Sequence, residues 1–577
     1  MTLTQKRLTP DEFAALEHQV LWSRRYALEV IERLETLPAD VKTLYQDLFA
    51  NALTKITLPD LPMAAAASTD EADRMLVECD DNIPLSIVVT TRNDTHTERM
   101  EERTQAFIDS VYHVAETVGR RVELVIVEWN PPTDRPSLRD GYRFPRTHDY
   151  VNTVIYTVGE EVHEQFDMAD FTPLYQMIAK NVGIRRARGK FILATNIDVL
   201  FSAPLFEAMT APDLAAGALY RSHRCDINRN VLDLPDINAI TEAADERVLR
   251  IHFQEGPLEP GEARRQREQH VEDDFIASQF AERRDAQGRP VIYNVASCYV
   301  GWDSLPALHY QQCGDFQLMH RDDWLKVRGY MELDGFIFHL DSLLAIVCHA
   351  AGMKEVVFPD DCRHYHIDHT TGVEIEPGRY RTNSGKLVAH LSIIELYGLY
   401  RYMEAKDDYC LYNDTAWGCG AADVKADLVT TTPWAAALPV PARLDRQSVI
   451  ACHFKNVEAL QNRENLMTND KLRTMFAGLM RYLSARHRGR KIWIWGAGGR
   501  GRHLLHYLLG HDLQVAGFIE TAPSGLKTVD GFPVQSPDNL QFEEGHFVLV
   551  ASLFAGEIYK SLLALDAREG EHFLITP

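Results

Sequence analysis

Between Pro84 and Asp198 short apolar runs alternate with helical patterns, and that alternation constrains the fold more than any other feature of the chain. The runs are PLSIVVTTRND, VELVIVEWNPP, VNTVIYTV and KFILATNID, with helical stretches near 98–118 and 172–187 between them. Strand, helix and strand in succession predict a mostly parallel sheet with helices on its faces, an α/β class. Residues 124–127 and 191–193 are apolar at every position, as suits strands buried on both sides. Polar residues collect just past the carboxyl ends of the runs: Thr91, Arg92, Asn93 and Asp94; Glu128 and Asn130; Asn196 and Asp198. Ligands of open α/β sheets bind along that edge, so three strands are predicted to point at one site.

With 577 residues the chain is too long for one ordinary core. The expected division is a helical N-terminal segment (1–80), a large α/β domain (81–422), a linker with a helix (423–488) and a small α/β domain (489–577). Phe13, Leu16, Val20, Leu28, Ile31 and Leu34 roughly keep one face over 9–56, a stripe that can dock on the next domain or on a second copy of the chain. Residues 203–300 read as elaboration of the large domain, with a charged helix around 262–284 and a strand at RPVIYNVASCYVGW. A net charge of -23 argues against nucleic acid or an anionic membrane as the main partner, although GIRRARGK offers a local basic patch for a phosphate. No run of 18 apolar residues and no signal-peptide core are present in the sequence, so a cytoplasmic chain with no transmembrane segment is expected. The nine cysteines are scattered and never paired as C-x-x-C, a pattern of reduced thiols.

Residues two apart on an extended chain share a side, so Asn196 and Asp198 are expected to face one divalent cation together, with Asp198 the stronger ligand. A sparse acidic motif at a sheet crevice suits magnesium or manganese, which keep positions open for substrate phosphates. Lys180, Arg185, Arg186, Arg188 and Lys190 gather at a helix end where Gly189 is placed for a left-handed cap. A strand is expected to end at Gly314-Asp315-Phe316, and Asp341 to open a later helix. As a plain N-terminal cap Asp341 would only hold a backbone amide; in a crevice it can accept a hydroxyl proton. His364, His366 and His369 follow a strand, and neutral imidazoles there can complete a metal shell.

These residues resemble a GT-A glycosyltransferase related to the large family 2 group. The likeness rests on Asn181-x-Gly183-x-x-x-Ala187-x-Gly189-x-x-Ile192 leading into Asn196-x-Asp198, on SIVVTTRND and VIVEWNPP, on the GDFQLM…W…GYME block, and on the late histidines. It covers about residues 83–420. The resemblance implies transfer of a sugar from a nucleoside diphosphate sugar, a UDP-sugar above all, to a hydroxyl of a glycan or glycoconjugate acceptor. It implies that Thr91, Arg92, Asn93, Asp94, Glu128, Asn181 and Asn196 hold the donor nucleotide, and that Asp198 with His366 or His369 holds Mn2+ or Mg2+. It further implies that Asp315 faces the acceptor and that Asp341 is the base of an inverting displacement. The chain departs from the pattern in having Asn first in N-x-D, and HLD where an acidic pair often stands. A non-catalytic scaffold or sensor that binds nucleotide sugars is the alternative reading.

In the last 88 residues WIWGAGGRGRHLL places Gly496, Gly498 and Gly501 between an apolar run and a helical pattern, and Glu520 ends the next run. Such glycines let backbone approach a pyrophosphate at a helix N-terminus, and the acid can bond a ribose hydroxyl. This predicts a small Rossmann-like domain, which is left open between a structural role, nucleotide or nucleotide-sugar binding, and NAD chemistry.

Overall fold

A computed structural model of the chain describes residues 37–50, 53–57, 60–67, 74–94, 97–170, 172–253, 256–258, 283–284, 290–295, 305–310, 312–335, 337–369, 373–376, 379–382, 391, 393–454, 462–464, 469–509, 511, 513–521, 527–542, 545–552 and 555–576. The first helix among the described residues is α1 (Ala39–Ala50). The large domain follows with β1 (Leu85–Thr91), α2 (Met100–Val118), β2 (Val122–Trp129), β3 (Val151–Val158), α3 (Gln176–Arg186), β4 (Phe191–Thr195) and β5 (Val199–Phe201). It continues with β6 (Ala218–Arg221), β7 (His223–Ile227), β8 (Val248–Phe253), β9 (Phe316–His320), α4 (Leu340–Ala350), β10 (Lys354–Val357), β11 (Arg363–Ile367) and β12 (Lys425–Thr430).

The large sheet runs β10-β6-β9-β4-β1-β2-β3-β12. Strands β1 to β4 are parallel, whereas β9 lies antiparallel between β4 and β6. The chain builds β2 and β3 on one side of β1 and then returns to build β4 on the other. That reversal leaves a crevice beyond the carboxyl ends of β1 and β4. Each face of the sheet is covered by a core of its own: Leu85, Ile87 and Val89 pack with Phe107 and Val111 of α2, while Val88, Val125 and Val127 pack with Ile178 and Val182 of α3. Gly183 lets α3 come close, since a Cβ there would lie 2.5 Å from a Val88 methyl.

A second, five-stranded sheet joins β5, β11, β7, β8 and a short strand Gly256–Leu258. Val199 pairs with His366, and His366 with Asp226, so the strands bring residues distant in sequence side by side.

The C-terminal unit starts after α5 (Asn469–Arg486) and contains β13 (Lys491–Trp495), α6 (Gly499–Leu509), β14 (Gln514–Ile519), β15 (Phe532–Gln535), β16 (His546–Val550) and β17 (Phe573–Ile575). Its strands stand parallel in the order β15-β14-β13-β16-β17, with Thr528–Val529 antiparallel at the edge. The start of the chain reaches this unit: Tyr45 of α1 donates to Glu569 (2.5 Å) and accepts from the Ile575 amide (3.2 Å), and Asp40 pairs with Arg486 of α5 (2.7 Å).

Several expectations change. The helical reading of 9–56 gives way to a strand at Leu53–Thr57, which pairs with Pro290–Val295, and its part before residue 37 lies outside the described residues. The charged helix expected near 262–284 falls almost wholly outside them, and Arg283–Arg284 is a short strand. The segment read as a linker from 423 contributes β12, so the large sheet extends past residue 422. Phe316 begins a strand instead of ending one. Gly189 is not a left-handed cap, because α3 already stops at Arg186 in front of an extended Ala187. What Gly189 provides is room: a Cβ there would lie 2.5 Å from the Ser86 amide nitrogen.

Most of the basic cluster likewise turns inward, leaving Lys190 as its exposed member. Arg185 and Arg186 donate to the carbonyls of Trp417, Gly418 and Cys419, and Arg188 pairs with Glu123 (2.7 Å) and donates to the Ala436 carbonyl (2.8 Å). All three arginines are buried. Among the described residues, no helix is long and apolar enough to cross a membrane.

In the C-terminal unit the glycines are demanded by space. Gly496 has φ +116°, and a Cβ on Gly501 would lie 1.8 Å from the Gly496 carbonyl oxygen. Gly501→Ala is therefore expected to lower the stability of this unit by about 2 kcal/mol, the cost of forcing a methyl into filled space. Calorimetric unfolding of the full chain checks this, and an unchanged transition would show that the turn relaxes freely.

Candidate active site

The second sheet positions the charged groups of the crevice. Asp198 stands just before β5, His366 lies on β11 and His369 just after it, Arg224 and Asp226 lie on β7, and Arg250 and His252 on β8. Because β5, β11, β7 and β8 are neighbours, Asp198, His366, Asp226 and the β8 pair follow one another across the ladder.

Asp198, His366 and His369 converge. The Asp198 Oδ2 lies 3.0 Å from His369 Nε2 and 3.6 Å from His366 Nε2, and the two ring nitrogens are 3.2 Å apart. A cation about 2.1 Å from all three atoms would sit slightly off the plane of this triangle, the spacing of a three-ligand face with positions left open. Arg103 of α2 donates to the same Asp198 oxygen (2.8 Å). Burial works against the charge of Asp198, but the two imidazoles more than offset it and hold its carboxyl well below the usual range. Burial and Arg224 act to lower His366, yet the Asp198 charge prevails and its pKa is raised.

Behind the triangle Asp226 anchors a charged hub. Its Oδ1 accepts from Arg224 Nε (2.6 Å), and its Oδ2 accepts from Arg250 Nε (2.8 Å) and faces His252 Nε2 (2.9 Å). Arg224 continues to Asp315 Oδ2 (2.6 Å), Asp315 Oδ1 accepts from Asn196 Nδ2 (2.5 Å), and Asn196 Oδ1 accepts from Lys180 Nζ (2.8 Å) and Gln176 Nε2 (2.8 Å). Lys180 also donates to the Gly314 carbonyl (2.8 Å). Burial pushes the Lys180 pKa down to about 8 against the pull of Asp315, Asp341 and Asp198.

Gly314 connects this network to Asp341, since a Cβ on Gly314 would lie 2.8 Å from Asp341 Oδ2. The other Asp341 oxygen accepts from the Ser342 amide (2.8 Å) at the start of α4. Asp341 is half-buried, so one carboxylate oxygen is fixed and the carboxyl retains contact with solvent.

Not all expected ligands belong to this group. Asn196 and Asp198 engage different partners: β4 stops at Thr195, a turn intervenes, and the Asn196 amide joins the Lys180 and Asp315 network while Asp198 meets His366, His369 and Arg103. Asp315 is buried with both oxygens engaged by Arg224 and Asn196, so it braces the crevice. Asn181 is buried on the far side of α3, where it bonds the backbone of Tyr330 in both directions and the carboxylate of Glu332. It clamps a loop. His364 stacks on Phe316 at 5.6 Å, outside the triangle.

At the ends of β1 and β2, Thr91 is buried, Arg92 donates to the Asn130 carbonyl (2.7 Å) and pairs with Asp94 (3.1 Å), and Asn93 donates to the Pro136 carbonyl (2.8 Å). Glu128 accepts from the Leu138 amide (2.8 Å), and burial raises its pKa. These side chains shape the crevice wall, and Arg92 and Asp94 are its partly exposed members.

In the C-terminal unit the Glu520 carboxylate accepts from the Ala497 amide (2.5 Å) within the glycine turn. The acid thus closes on the loop that the sequence pairs it with.

Sequence reasoning did not assign roles to Arg103, Arg224, Asp226 and His252, and it read Lys180 only as part of a basic cluster. The signal for Arg224 and Asp226 was present: two charges spaced two apart in a short run, as in the His364 and His366 pair. No protein-family model matches the chain, and no curated protein matches it.

Proposed function

We propose that this protein is a metal-assisted glycosyltransferase that moves a sugar from a nucleoside diphosphate donor to an acceptor hydroxyl. The observation that carries this reading is the Asp198, His366 and His369 triangle placed beside the carboxyl ends of β1 and β4. The GT-A likeness of the sequence motifs adds support, on a mixed α/β sheet that is parallel from β3 to β4 with β9 antiparallel beside it.

The donor set fits a divalent cation. Two imidazole nitrogens with one carboxylate favour manganese or a similar transition ion over magnesium, which prefers oxygen. When bound, such an ion would neutralise charge on the departing diphosphate.

The remaining work falls to the chain. Arg103 holds Asp198 in place through the buried pair at 2.8 Å. Lys180 brings a buried positive charge to the middle of the crevice and fixes Asn196 and Gly314. Asp341, anchored by one oxygen and beside Gly314, is placed to accept the proton of the acceptor hydroxyl as the new glycosidic bond forms.

A screen of nucleotide sugars for nucleotide release, with manganese, with magnesium and with chelator, tests the reading. Manganese-dependent release from at least one donor is expected, and release without acceptor would count against a passive scaffold. Full activity in chelator with an intact protein would remove the metal from the reading.

A further inference from the structure

The two partners of His366 Nδ1 make incompatible demands on the ring. Arg224 Nη2 lies 2.9 Å from it and Asp226 Oδ1 lies 3.3 Å from it. A guanidinium only donates hydrogen bonds and an ionised carboxylate only accepts them. Bonded to Arg224, Nδ1 gives up its lone pair and a neutral ring carries its proton on Nε2, facing Asp198 and His369. Bonded to Asp226, Nδ1 carries the proton and the Nε2 lone pair is free. Only the second form can bind a cation through Nε2.

We propose that Asp226 is the positioning carboxylate that selects the cation-binding tautomer of His366, and that Arg224 holds the opposite tautomer when the triangle contains no ion. This rests on the metal reading given above. Asp226 is well fixed for the role: it pairs directly with His366 across the β7 and β11 ladder, and its other oxygen is held by His252 and Arg250. Arg224 can release the ring at little cost, because its remaining donors engage Asp226 (2.6 Å), Asp315 (2.6 Å) and Gln312 (3.0 Å). Histidines bound to metals nearly always donate their second N–H to a carboxylate, carbonyl or water, and loss of that partner typically weakens the metal about 10- to 100-fold.

The test is titration calorimetry of Mn2+ and Co2+ into the full-length protein, with the visible spectrum of the Co2+ form as a second readout. Asp226→Asn is expected to weaken both ions about 10- to 100-fold and to change the Co2+ spectrum, and Asp226→Glu to restore part of the affinity. Arg224→Gln is expected to tighten binding. Asp368→Asn removes a nearby charge that pairs with Arg250 (3.5 Å) without touching His366, and it controls for charge alone; it should change affinity less than about threefold. Unfolding curves establish that each variant is folded. Wild-type protein that binds neither ion overturns the metal reading and this inference with it. Tight binding by the wild type with equal effects of Asp226→Asn and Asp368→Asn overturns this inference alone.

Discussion

Asp198→Ala is expected to abolish sugar transfer and manganese binding together, with kcat/KM falling by roughly a thousandfold or more. Loss of a single group that stabilises charge at a reacting centre commonly costs about 10²–10³, and here two imidazoles lose the carboxylate they converge on as well. The substitution also leaves the buried Arg103 guanidinium without its 2.8 Å partner, and breaking a buried pair in this way costs about 3–5 kcal/mol of stability. Asp198→Asn separates the two effects, because the amide oxygen can still accept from Arg103 while the charge is gone. Loss of manganese binding in a folded Asp198→Asn protein is the expected result. Wild-type turnover in that variant would show that the carboxylate's charge serves only to neutralise Arg103.

Asp341→Asn should lower kcat by about 10²–10⁴ while leaving the dissociation constant of the nucleotide sugar near its wild-type value. The asparagine oxygen can keep the bond from the Ser342 amide, so the start of α4 is retained. The removed function is proton acceptance. Donor binding measured by calorimetry and turnover measured by nucleotide release must therefore separate. A parallel loss of both would place Asp341 among the groups that support the crevice, and unchanged turnover would exclude it as the base.

The α/β class of the large domain was legible because strand and helix periodicities differ so plainly there. Helices read near 98–118 and 172–187 appear as Met100–Val118 and Gln176–Arg186, and the four apolar runs appear as β1 to β4. The helix expected within 423–488 is Asn469–Arg486. Linear pattern was a poorer guide to the crevice. His366 and His369 were picked out because metal-binding side chains cluster locally in sequence, and Asp198 because it closes the N-x-D run, but the His366 partners Arg224 and Asp226 come from a strand whose neighbours are fixed only by long-range pairing. Local spacing also misled: Asn196 and Asp198 are two apart, but the chain turns between them. Asp315 and Asn181 look like ligands in sequence because nothing in the sequence shows that their polar atoms are already satisfied within the protein.

The arginines at the end of α3 tie the order of synthesis to the stability of the domain. Arg185 and Arg186 reach carbonyls 232 and 233 residues further along the chain, and Arg188 one that is 248 residues away. A ribosome that has delivered β1 to β4 has supplied these arginines with only some of their acceptors, the Arg74 and Val182 carbonyls and the Glu123 carboxylate. Burying guanidinium groups short of their remaining acceptors costs several kcal/mol per group, so α3 is expected to pack fully against the sheet only once residues 417–436 have emerged.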